Sequence, residues 1–255
     1  YDFENRKGIF PAIDSRIKFS LVTMAGGDSA TPKPADFVFF ALRAGDLKDP
    51  DKHISMGTDD LRLMNPNTLT TPIFRSRRDY EVTRRIYERV PVLIREKRGK
   101  RPEENPWGLS FLRMFDMAND SGLFRTRGQL EDDGWELNGN MFGREGETHL
   151  PLYEAKMVHQ FDHRWATYDG DKARDSTSEE ESDPRFVVMP RYWVPETEVN
   201  NRLAGKWDRK WLLGWRDICR STDERTVIAS VVPRVGVGHT LPLMFTSGAD
   251  ASNAM

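Results

Sequence analysis

Gly-Trp-Glu-Leu-Asn-Gly-Asn-Met-Phe, residues 134–142, is the stretch that indicates the fold class most directly. Its centre, Asn138-Gly139, is a strong signal for a β-hairpin, because both residues tolerate the left-handed backbone conformation that a tight turn needs. The apolar residues on either side then form two short paired strands. The sequence therefore predicts antiparallel β structure near the middle of the chain.

The clearest helical signal lies ahead of that hairpin. Ser76 is a candidate N-cap and Asp79 follows it at the third position. Apolar residues then recur at helical spacing over 80–90 until Pro91, which cannot continue a helix. The sequence therefore predicts a helix between Ser76 and Pro91.

Weaker patterns complete the secondary-structure prediction. Further helices are expected over 109–118, 198–204 and 207–215, and strands over 9–10, 19–24, 37–44, 192–194 and 227–232. Loops are expected over 26–34 and over the Ser-, Thr- and Glu-rich residues 172–183. Short strands and short helices alternate, so the predicted fold class is mixed α+β.

Composition excludes several classes of protein. The apolar runs 37–42 and 227–232 are too short to span a bilayer, and no charged-then-apolar leader opens the chain. A single cysteine, Cys219, excludes an internal disulfide framework. We therefore expect a cytoplasmic protein without membrane partners.

Charge is distributed unevenly along the chain. The formal net charge is -2, but arginines concentrate over 75–101 and again over 202–234, while acidic residues concentrate over 131–133 and 179–183. Separate basic faces suit nucleic-acid binding, whereas ordinary solvated helix faces would give the same pattern.

Tryptophan is unusually frequent, with seven residues. Trp207, Trp211 and Trp215 recur every four residues, which on a helix forms a stripe that packs in a core or stacks on bases. Cations are interspersed with this stripe: Lys206, Arg209, Lys210, Arg216 and Arg220. A helix with tryptophans on one side and cations on the other would suit contact with a DNA backbone.

Two short motifs suggest metal chemistry. His159 and His163 have the i, i+4 spacing of zinc ligands on a helix, but Gln160 stands where a metalloprotease needs glutamate. We favour a structural cluster in which Asp162 accepts hydrogen bonds from Arg164 or a histidine.

Glu154-Ala-Lys156 matches the second half of a magnesium-dependent nuclease motif, for which Asp132 or Asp133 would supply the first carboxylate.

A glycine pair follows the strand predicted over 227–232. Gly236-Val-Gly238 lacks the third glycine of a dinucleotide-binding loop, and Pro242 opposes a following helix. We expect a turn between two strands. If that turn faces DNA, Arg234 and His239 would supply donors to phosphate.

Longer segments carry a family resemblance. Residues 1–11 (YDFENRKGIFP) and 14–19 (DSRIKF) resemble the stretch after the catalytic motif of adenine-specific DNA methyltransferases, both those of type IIG restriction-modification systems and those of BREX, Pgl and DISARM phage defence. Residues 151–168, 216–220 and 233–239 resemble the target-recognition region of the same enzymes. The similarity extends over most of residues 1–243.

The resemblance implies methyl transfer from S-adenosylmethionine to a flipped-out adenine. That family uses an Asn/Asp-Pro-Pro-Tyr/Phe motif, and Asn65-Pro66-Asn67 and Asn105-Pro106-Trp107 both lack its second proline. We therefore expect neither a catalytic site nor a cofactor in this chain, and S-adenosylmethionine in the parent enzyme. A chain that begins at Tyr1 is expected to be a fragment.

The resemblance also implies four regions. Residues 1–44 would be the last strands of a methyltransferase sheet, 45–106 a linker with a helical segment, 107–245 a partial target-recognition region, and 246–255 a tail that is partly vector-derived. The expected partners are double-stranded DNA and other subunits of a defence system.

The predicted DNA-binding set consists of basic and polar residues of the region 107–245. Its members are Lys156, His159, Gln160, Arg164, Arg216, Arg220, Arg225, Arg234 and His239. Two alternatives remain open: a magnesium-dependent endonuclease that uses Glu154 and Lys156, and a protein-interaction module in which the aromatic clusters bind a defence subunit.

Overall fold

The computed structural model describes residues 1–24, 34–220 and 222–247. Most of the predicted loop at 26–34 and of the predicted tail at 246–255 lies outside the described residues. The chain divides into two compact units, Tyr1–Pro106 (unit 1) and Trp107–Met255 (unit 2). Both contain short strands and helices, so the α+β class is confirmed.

Unit 1 is built from two small sheets and two helices. Its elements are β1 (Asp2–Glu4), β2 (Lys18–Ser20), β3 (Ala35–Phe37), β4 (Ile54–Met56), α1 (Thr58–Met64) and α2 (Arg77–Arg89). β1 pairs antiparallel with β2, and β3 pairs antiparallel with β4. α1 packs on α2.

The helix predicted after Ser76 is confirmed as α2. The backbone N–H of Asp79 donates to Ser76 Oγ at 3.2 Å, and the Asp79 carboxylate accepts from the Ser76 N–H at 3.1 Å. This reciprocal pair satisfies two of the backbone donors that a helix start leaves without partners. Local sequence alone therefore determines where α2 begins.

Two strand predictions in unit 1 are wrong in extent. Residues 9–10 form no strand, because the buried Asn5 side chain holds a turn there, with its Oδ1 accepting from Phe10 N–H at 2.9 Å. The strand expected over 37–44 ends at Phe37. Phe40 has a φ of 56°, a left-handed conformation that interrupts an extended strand.

Unit 2 holds most of the strands. Its first elements are β5 (Leu109–Leu112), α3 (Arg127–Asp132), β6 (Glu136–Asn138), β7 (Met141–Arg144), β8 (Glu147–Tyr153), β9 (Ala166–Asp169) and β10 (Lys172–Asp175). The remaining elements are α4 (Ser178–Ser182), β11 (Trp193–Pro195), α5 (Glu196–Leu203), β12 (Trp211–Trp215), β13 (Ala229–Pro233), β14 (Gly236–Val237) and β15 (Leu243–Thr246).

Two larger sheets organise these strands. One has the order β11-β8-β7-β6, with β14 added parallel to β8. The other has the order β13-β12-β15-β5, all antiparallel. β9 and β10 form a separate hairpin. The strand predictions for 192–194 and 227–232 and the helix prediction for 198–204 are confirmed by β11, β13 and α5.

The hairpin predicted around Asn138-Gly139 is confirmed, with its turn displaced by one residue. Asn138 lies opposite Met141, so the turn residues are Gly139 and Asn140, and Gly139 has a φ of 61°. Glycine adopts this left-handed conformation without steric cost. The pairing of β6 with β7 therefore follows from a local signal.

The helix predicted over 207–215 is wrong, because residues 211–215 form β12. A spacing of four residues also keeps side chains on one face of a strand, whose period is two. Trp211 and Trp215 lie on the half-exposed face of β12, and Leu212 and Gly214 are buried on the other. Tryptophan spacing alone does not distinguish the two periods.

Three further predictions are corrected by long-range pairing. Residues 109–112 form β5 beside β15 rather than the start of a helix. The expected loop over 172–183 contains β10 and α4. Gly236 is not in a turn but in β14, where a Cβ would lie 2.5 Å from Val194 Cγ2 and a larger residue would force a neighbour to shift.

Each unit has its own buried clusters. Unit 2 contains one cluster of 21 buried hydrophobic residues and a smaller one around Trp193, whereas the clusters of unit 1 have five and three members. None of the helices that the structure describes has the length and apolar composition needed to cross a bilayer.

Candidate nucleic-acid interface

Two segments of unit 2 that are distant in sequence meet at one end of β12 and β13. The backbone N–H of Ala229 donates to Gln160 Oε1 at 2.9 Å, and the N–H of Phe161 donates to the Ala229 carbonyl at 2.8 Å. Arg216 Nε donates to the Val158 carbonyl at 2.8 Å. The structure thus brings together two members of the predicted set, Gln160 and Arg216. We call residues 158–162 with Arg216 and Ala229 the loop-end cluster.

His159 belongs to the same cluster through a tight turn. Its N–H donates to the Asp162 carbonyl at 2.7 Å, and its ring lies 4.4 Å from that of Trp165. Phe161, at the turn, has a φ of 65° and is 83% exposed. Residues 159–163 therefore form no helix, and the i, i+4 zinc geometry does not arise. As expected, Asp162 accepts from Arg164, through its backbone N–H at 2.7 Å.

Lys156 lines a small pocket of about 260 Å³ beside the loop-end cluster. Glu154 and Asp217 are also part of its lining. Tyr168 joins them at one side, because its hydroxyl donates to Glu154 Oε1 at 2.8 Å and its ring lies 5.0 Å from Lys156 Nζ. Sequence reasoning missed Asp217, whose position depends on long-range pairing.

A pair of guanidinium hydrogen bonds fixes Asp217. Arg113 donates through Nη2 to Asp217 Oδ1 at 2.7 Å and through Nη1 to Oδ2 at 3.0 Å. These bonds hold the pKa of the Asp217 carboxyl below its usual range. Arg113 also donates to the carbonyl of His239, whose Nδ1 accepts from Met117 N–H at 3.2 Å. His239 therefore lies near Asp217, although one ring nitrogen is engaged in structure.

Arg164 is engaged almost entirely with main-chain carbonyls. Its guanidinium donates to Glu181, Asp183 and Phe186 at 2.8, 3.1 and 3.4 Å. Three such bonds anchor the chain after α4. A phosphate would have to displace them to reach this side chain, so Arg164 is better suited to holding structure than to binding DNA.

Arg220 and Arg225 lie in the connection between β12 and β13. Both are exposed, and the backbone N–H of Arg220 donates to Asp223 Oδ2 at 2.8 Å. This connection starts from the loop-end cluster with Ile218, which is 79% exposed. Its two arginines are offset by Asp223 and Glu224, so it presents mixed charge rather than a basic surface.

The last member of the predicted set, Arg234, follows the opposite end of β13. Its N–H donates to the Lys210 carbonyl at 3.0 Å, and its Nη1 donates to the carbonyls of Trp207 and Arg209 at 3.0 and 3.3 Å. Asn200 Oδ1 accepts from the same guanidinium at 3.2 Å. Arg234 therefore braces the connection between α5 and β12.

That connection carries the most basic exposed stretch of unit 2. Lys206, Arg209 and Lys210 are all exposed, and Asp208 is the one acidic residue among 206–210. The Arg209 guanidinium lies 5.4 Å from the Trp207 ring and 5.5 Å from the Trp211 ring, within the range of cation–π attraction. We call residues 206–210 with Arg234 the tryptophan turn.

Sequence reasoning noted the cations of the tryptophan turn but left Lys206, Arg209 and Lys210 out of the predicted set. The signal was present in the alternation of basic residues with Trp207 and Trp211. The expected helix does not form, and Lys206, Arg209 and Lys210 lie instead in the turn that precedes β12.

Within the described residues, no group of three or more His, Cys, Asp or Glu side chains is placed to hold a metal ion. Comparison of the chain with models of known families, with curated proteins and with solved structures found no match.

Proposed function

We propose that unit 2 is a DNA-binding module and serves as the target-recognition region of an adenine-specific DNA methyltransferase. The observation that carries the proposal is the tryptophan turn. Lys206, Arg209 and Lys210 form an exposed group of cations that Arg234 braces from below. Clustered, exposed cations are what neutralisation of phosphates requires.

The loop-end cluster supplies polar groups for reading bases. It is separated from the tryptophan turn by β12, whose five residues span about 17 Å. The N–H of Ala229 donates to the amide oxygen of Gln160, so the group that this side chain offers most readily is its Nε2 amide nitrogen. An amide N–H donor matches the N7 acceptor of guanine or adenine, while Arg220 and Arg225 match guanine.

The parent enzyme, in this proposal, supplies the chemistry. The resemblance of residues 151–168 and 233–239 to recognition regions supports the assignment. It implies that S-adenosylmethionine binds the parent enzyme and that other subunits of a defence system are further partners. Double-stranded DNA is the direct ligand of unit 2.

Fluorescence anisotropy with duplex DNA over a series of salt concentrations tests the proposal. We expect the affinity to fall steeply with salt, and the double variant Lys206→Ala/Lys210→Ala to lower the slope of log K against log salt by about two, since each phosphate contact contributes about 0.9. Lys172→Ala is the matched control, because Lys172 is also exposed but lies on β10. Absence of duplex binding, or equal slopes for both variants, would contradict the proposal.

One observation favours a second candidate function, magnesium-dependent cleavage. The pocket that holds Glu154 and Lys156 also contains Asp217, whereas neither Asp132 nor Asp133 lines it. Two carboxylates beside a lysine are the groups that such nucleases use to hold magnesium. Both carboxylates are already partnered, however, by Tyr168 and by Arg113. This is why we rank cleavage second.

Incubation of plasmid DNA with magnesium or manganese tests this candidate. Cleavage by the unmodified chain that Glu154→Gln abolishes would support it. Glu136→Gln is the control, because Glu136 is an exposed carboxylate on β6. Inertness with every divalent ion would eliminate it.

A further inference from the structure

Unit 1 contains a pocket whose charged lining is entirely arginine. Its volume is about 310 Å³, and its walls are formed by Arg62, Pro66, Leu69, Arg95, Arg98 and Arg101. Arg62 comes from α1, and the other three arginines come from a hairpin that follows α2. No acidic residue is among the residues that line the pocket.

The hairpin is formed by reciprocal backbone hydrogen bonds. Arg95 and Glu104 exchange two bonds of 2.9 Å, and Arg98 and Arg101 exchange two of 3.1 Å. Gly99, with a φ of 60°, makes the tight turn possible. Because 95, 98 and 101 are spaced around this turn, their side chains reach one pocket although 98 and 101 lie on opposite arms.

Asn67 fastens the hairpin to the segment that follows α1. Its Nδ2 donates to the Ile94 carbonyl at 3.0 Å, and its Oδ1 accepts from Glu96 N–H at 2.9 Å. The same segment contains Leu69, which has a φ of 57°. A left-handed leucine is strained, and such residues concentrate at binding sites, where the surrounding structure holds them in place.

Several guanidinium donors in this pocket have no partner among the described residues. Arg101 Nε and Nη2 and Arg95 Nε are buried without a hydrogen-bond acceptor in the part of the chain that the structure describes. Folded proteins pair nearly all of their buried donors, and an unpaired charged donor is costly. Buried, unpaired guanidinium donors that line a pocket are therefore the arrangement typical of an anion-binding site.

Neighbouring carboxylates compensate only part of the positive charge around the pocket. Arg62 pairs with Asp59 at 3.0 Å and Arg95 pairs with Glu104 at 3.1 Å. Lys97 and Lys100 on the hairpin add positive charge, and Glu96 and Glu103 offset it in part. The net charge near the pocket remains positive.

We propose that this pocket binds a phosphate group. Phosphate carries up to two negative charges and three or four acceptor oxygens, and planar guanidiniums bind it through paired hydrogen bonds. Four arginines from two segments match a tetrahedral anion with several oxygens better than a carboxylate, which two arginines saturate. The phosphate belongs either to a free nucleotide or phosphate ion, or to a nucleic-acid backbone.

Isothermal titration of the whole chain with inorganic phosphate and pyrophosphate, in a buffer free of multivalent anions, tests the proposal. We expect saturable binding that Arg101→Ala weakens at least tenfold and Arg101→Lys weakens less, because lysine keeps the charge but loses the fork. Arg78→Ala is the matched control, since Arg78 is an exposed arginine on α2 outside the pocket. Arg98→Ala, at an exposed position, provides a second pocket variant if Arg101→Ala does not fold.

Duplex binding by the same variants distinguishes the sources of the phosphate. A backbone phosphate predicts that the Arg101→Ala salt slope falls by about one. A free ligand predicts that phosphate binding is lost while duplex binding is unchanged. If neither phosphate nor duplex binding differs between the pocket variants and Arg78→Ala, the proposal is wrong. We expect Lys206→Ala/Lys210→Ala to leave phosphate binding intact, so this test is independent of the proposed function of unit 2.

Discussion

The two units differ in what holds them together. In unit 2, 21 buried residues form one continuous cluster, which includes Phe115, Leu152 and Leu212 at 0% exposure. The clusters of unit 1 have five and three members, and polar side chains such as Asn5 and Asn67 fix its loops. Burial of apolar surface is the dominant stabilising contribution to folding. We therefore expect the apolar core to dominate the stability of unit 2, and hydrogen bonds to contribute a larger share of the stability of unit 1.

The two basic sites reflect this difference. The tryptophan turn sits on buried Trp207 and exposes its cations to solvent, as suits a long, extended ligand. The phosphate pocket proposed in unit 1 is lined by four arginines and by two apolar residues, Pro66 and Leu69. An anion that binds there would contribute to the stability of unit 1 as well as being recognised by it.

The largest expected effect comes from truncating each core. Phe115→Ala removes a fully buried ring of unit 2 and should cost about 5 kcal/mol, the upper end of the usual range. Phe39→Ala, in the smaller cluster of unit 1, should cost about 3 kcal/mol, the lower end. Urea unfolding followed by fluorescence checks this, because all seven tryptophans lie at or after Trp107.

Because every tryptophan lies in unit 2, the fluorescence transition reports the unfolding of that unit. Phe115→Ala should shift the fluorescence transition, whereas Phe39→Ala should shift only the part of the far-ultraviolet circular dichroism signal that belongs to unit 1. Equal shifts of the fluorescence transition in both variants would mean that the two units unfold together and do not differ in stability.

A smaller loss of stability is expected when a substitution introduces a steric clash but removes no buried apolar side chain. Gly236→Ala forces a methyl group to within 2.5 Å of Val194 Cγ2, between β14 and β11, and should cost about 1–3 kcal/mol. Gly128→Ala is the matched control, because a Cβ at that position of α3 meets nothing within 4 Å and should stabilise by about 0.5 kcal/mol. Thermal unfolding of both variants checks the pair; a neutral Gly236→Ala would show that the core of unit 2 is looser than described.

The smallest effect is a dependence on pH. Burial lowers the pKa of His149, whose ring packs edge-on to Trp135 at 4.3 Å, and it also lowers the pKa of His163. As the pH falls below about 6.5, the unfolded chain binds protons that the folded chain does not, so stability falls by at most about 1.4 kcal/mol per pH unit for each histidine.

His149→Phe keeps the aromatic contact and removes one titrating group. Urea midpoints measured by fluorescence between pH 7 and 5 should therefore fall less for His149→Phe than for the unmodified chain. An identical pH dependence for the two proteins would assign the proton uptake elsewhere.

Local signals in the sequence predicted some of these elements well. The start of α2 follows from Ser76 and Asp79, and the β6–β7 hairpin follows from Gly139, because each depends on residues a few positions apart. β12 was mistaken for a helix, since Trp211 and Trp215 satisfy both periods and its partner β13 lies beyond a long connection.

The sites depended on contacts that no local pattern shows. Gln160 meets Ala229 across 69 residues, so the loop-end cluster emerges only from the sheet. In unit 1, the arginine-rich stretch was evident, but its convergence with Arg62 requires both the Gly99 turn and the Asn67 brace. The parent family and its S-adenosylmethionine remain predictions of the sequence.

The contact of Ala229 with the turn at 159–162 affects whether another strand can pair with the edge of the sheet at β13. β13 is an edge strand, and the alternation of antiparallel hydrogen bonds directs the backbone groups of Ala229, Val231 and Pro233 away from β12. Ala229 is capped by Gln160 and Phe161, and proline has no N–H to offer. Among the described residues of β13, Val231 is left with both an outward N–H and an outward carbonyl, and that carbonyl also accepts from Ser230 Oγ at 3.2 Å. A single available residue cannot nucleate a ladder, so this edge is guarded against the strand addition through which exposed sheets aggregate.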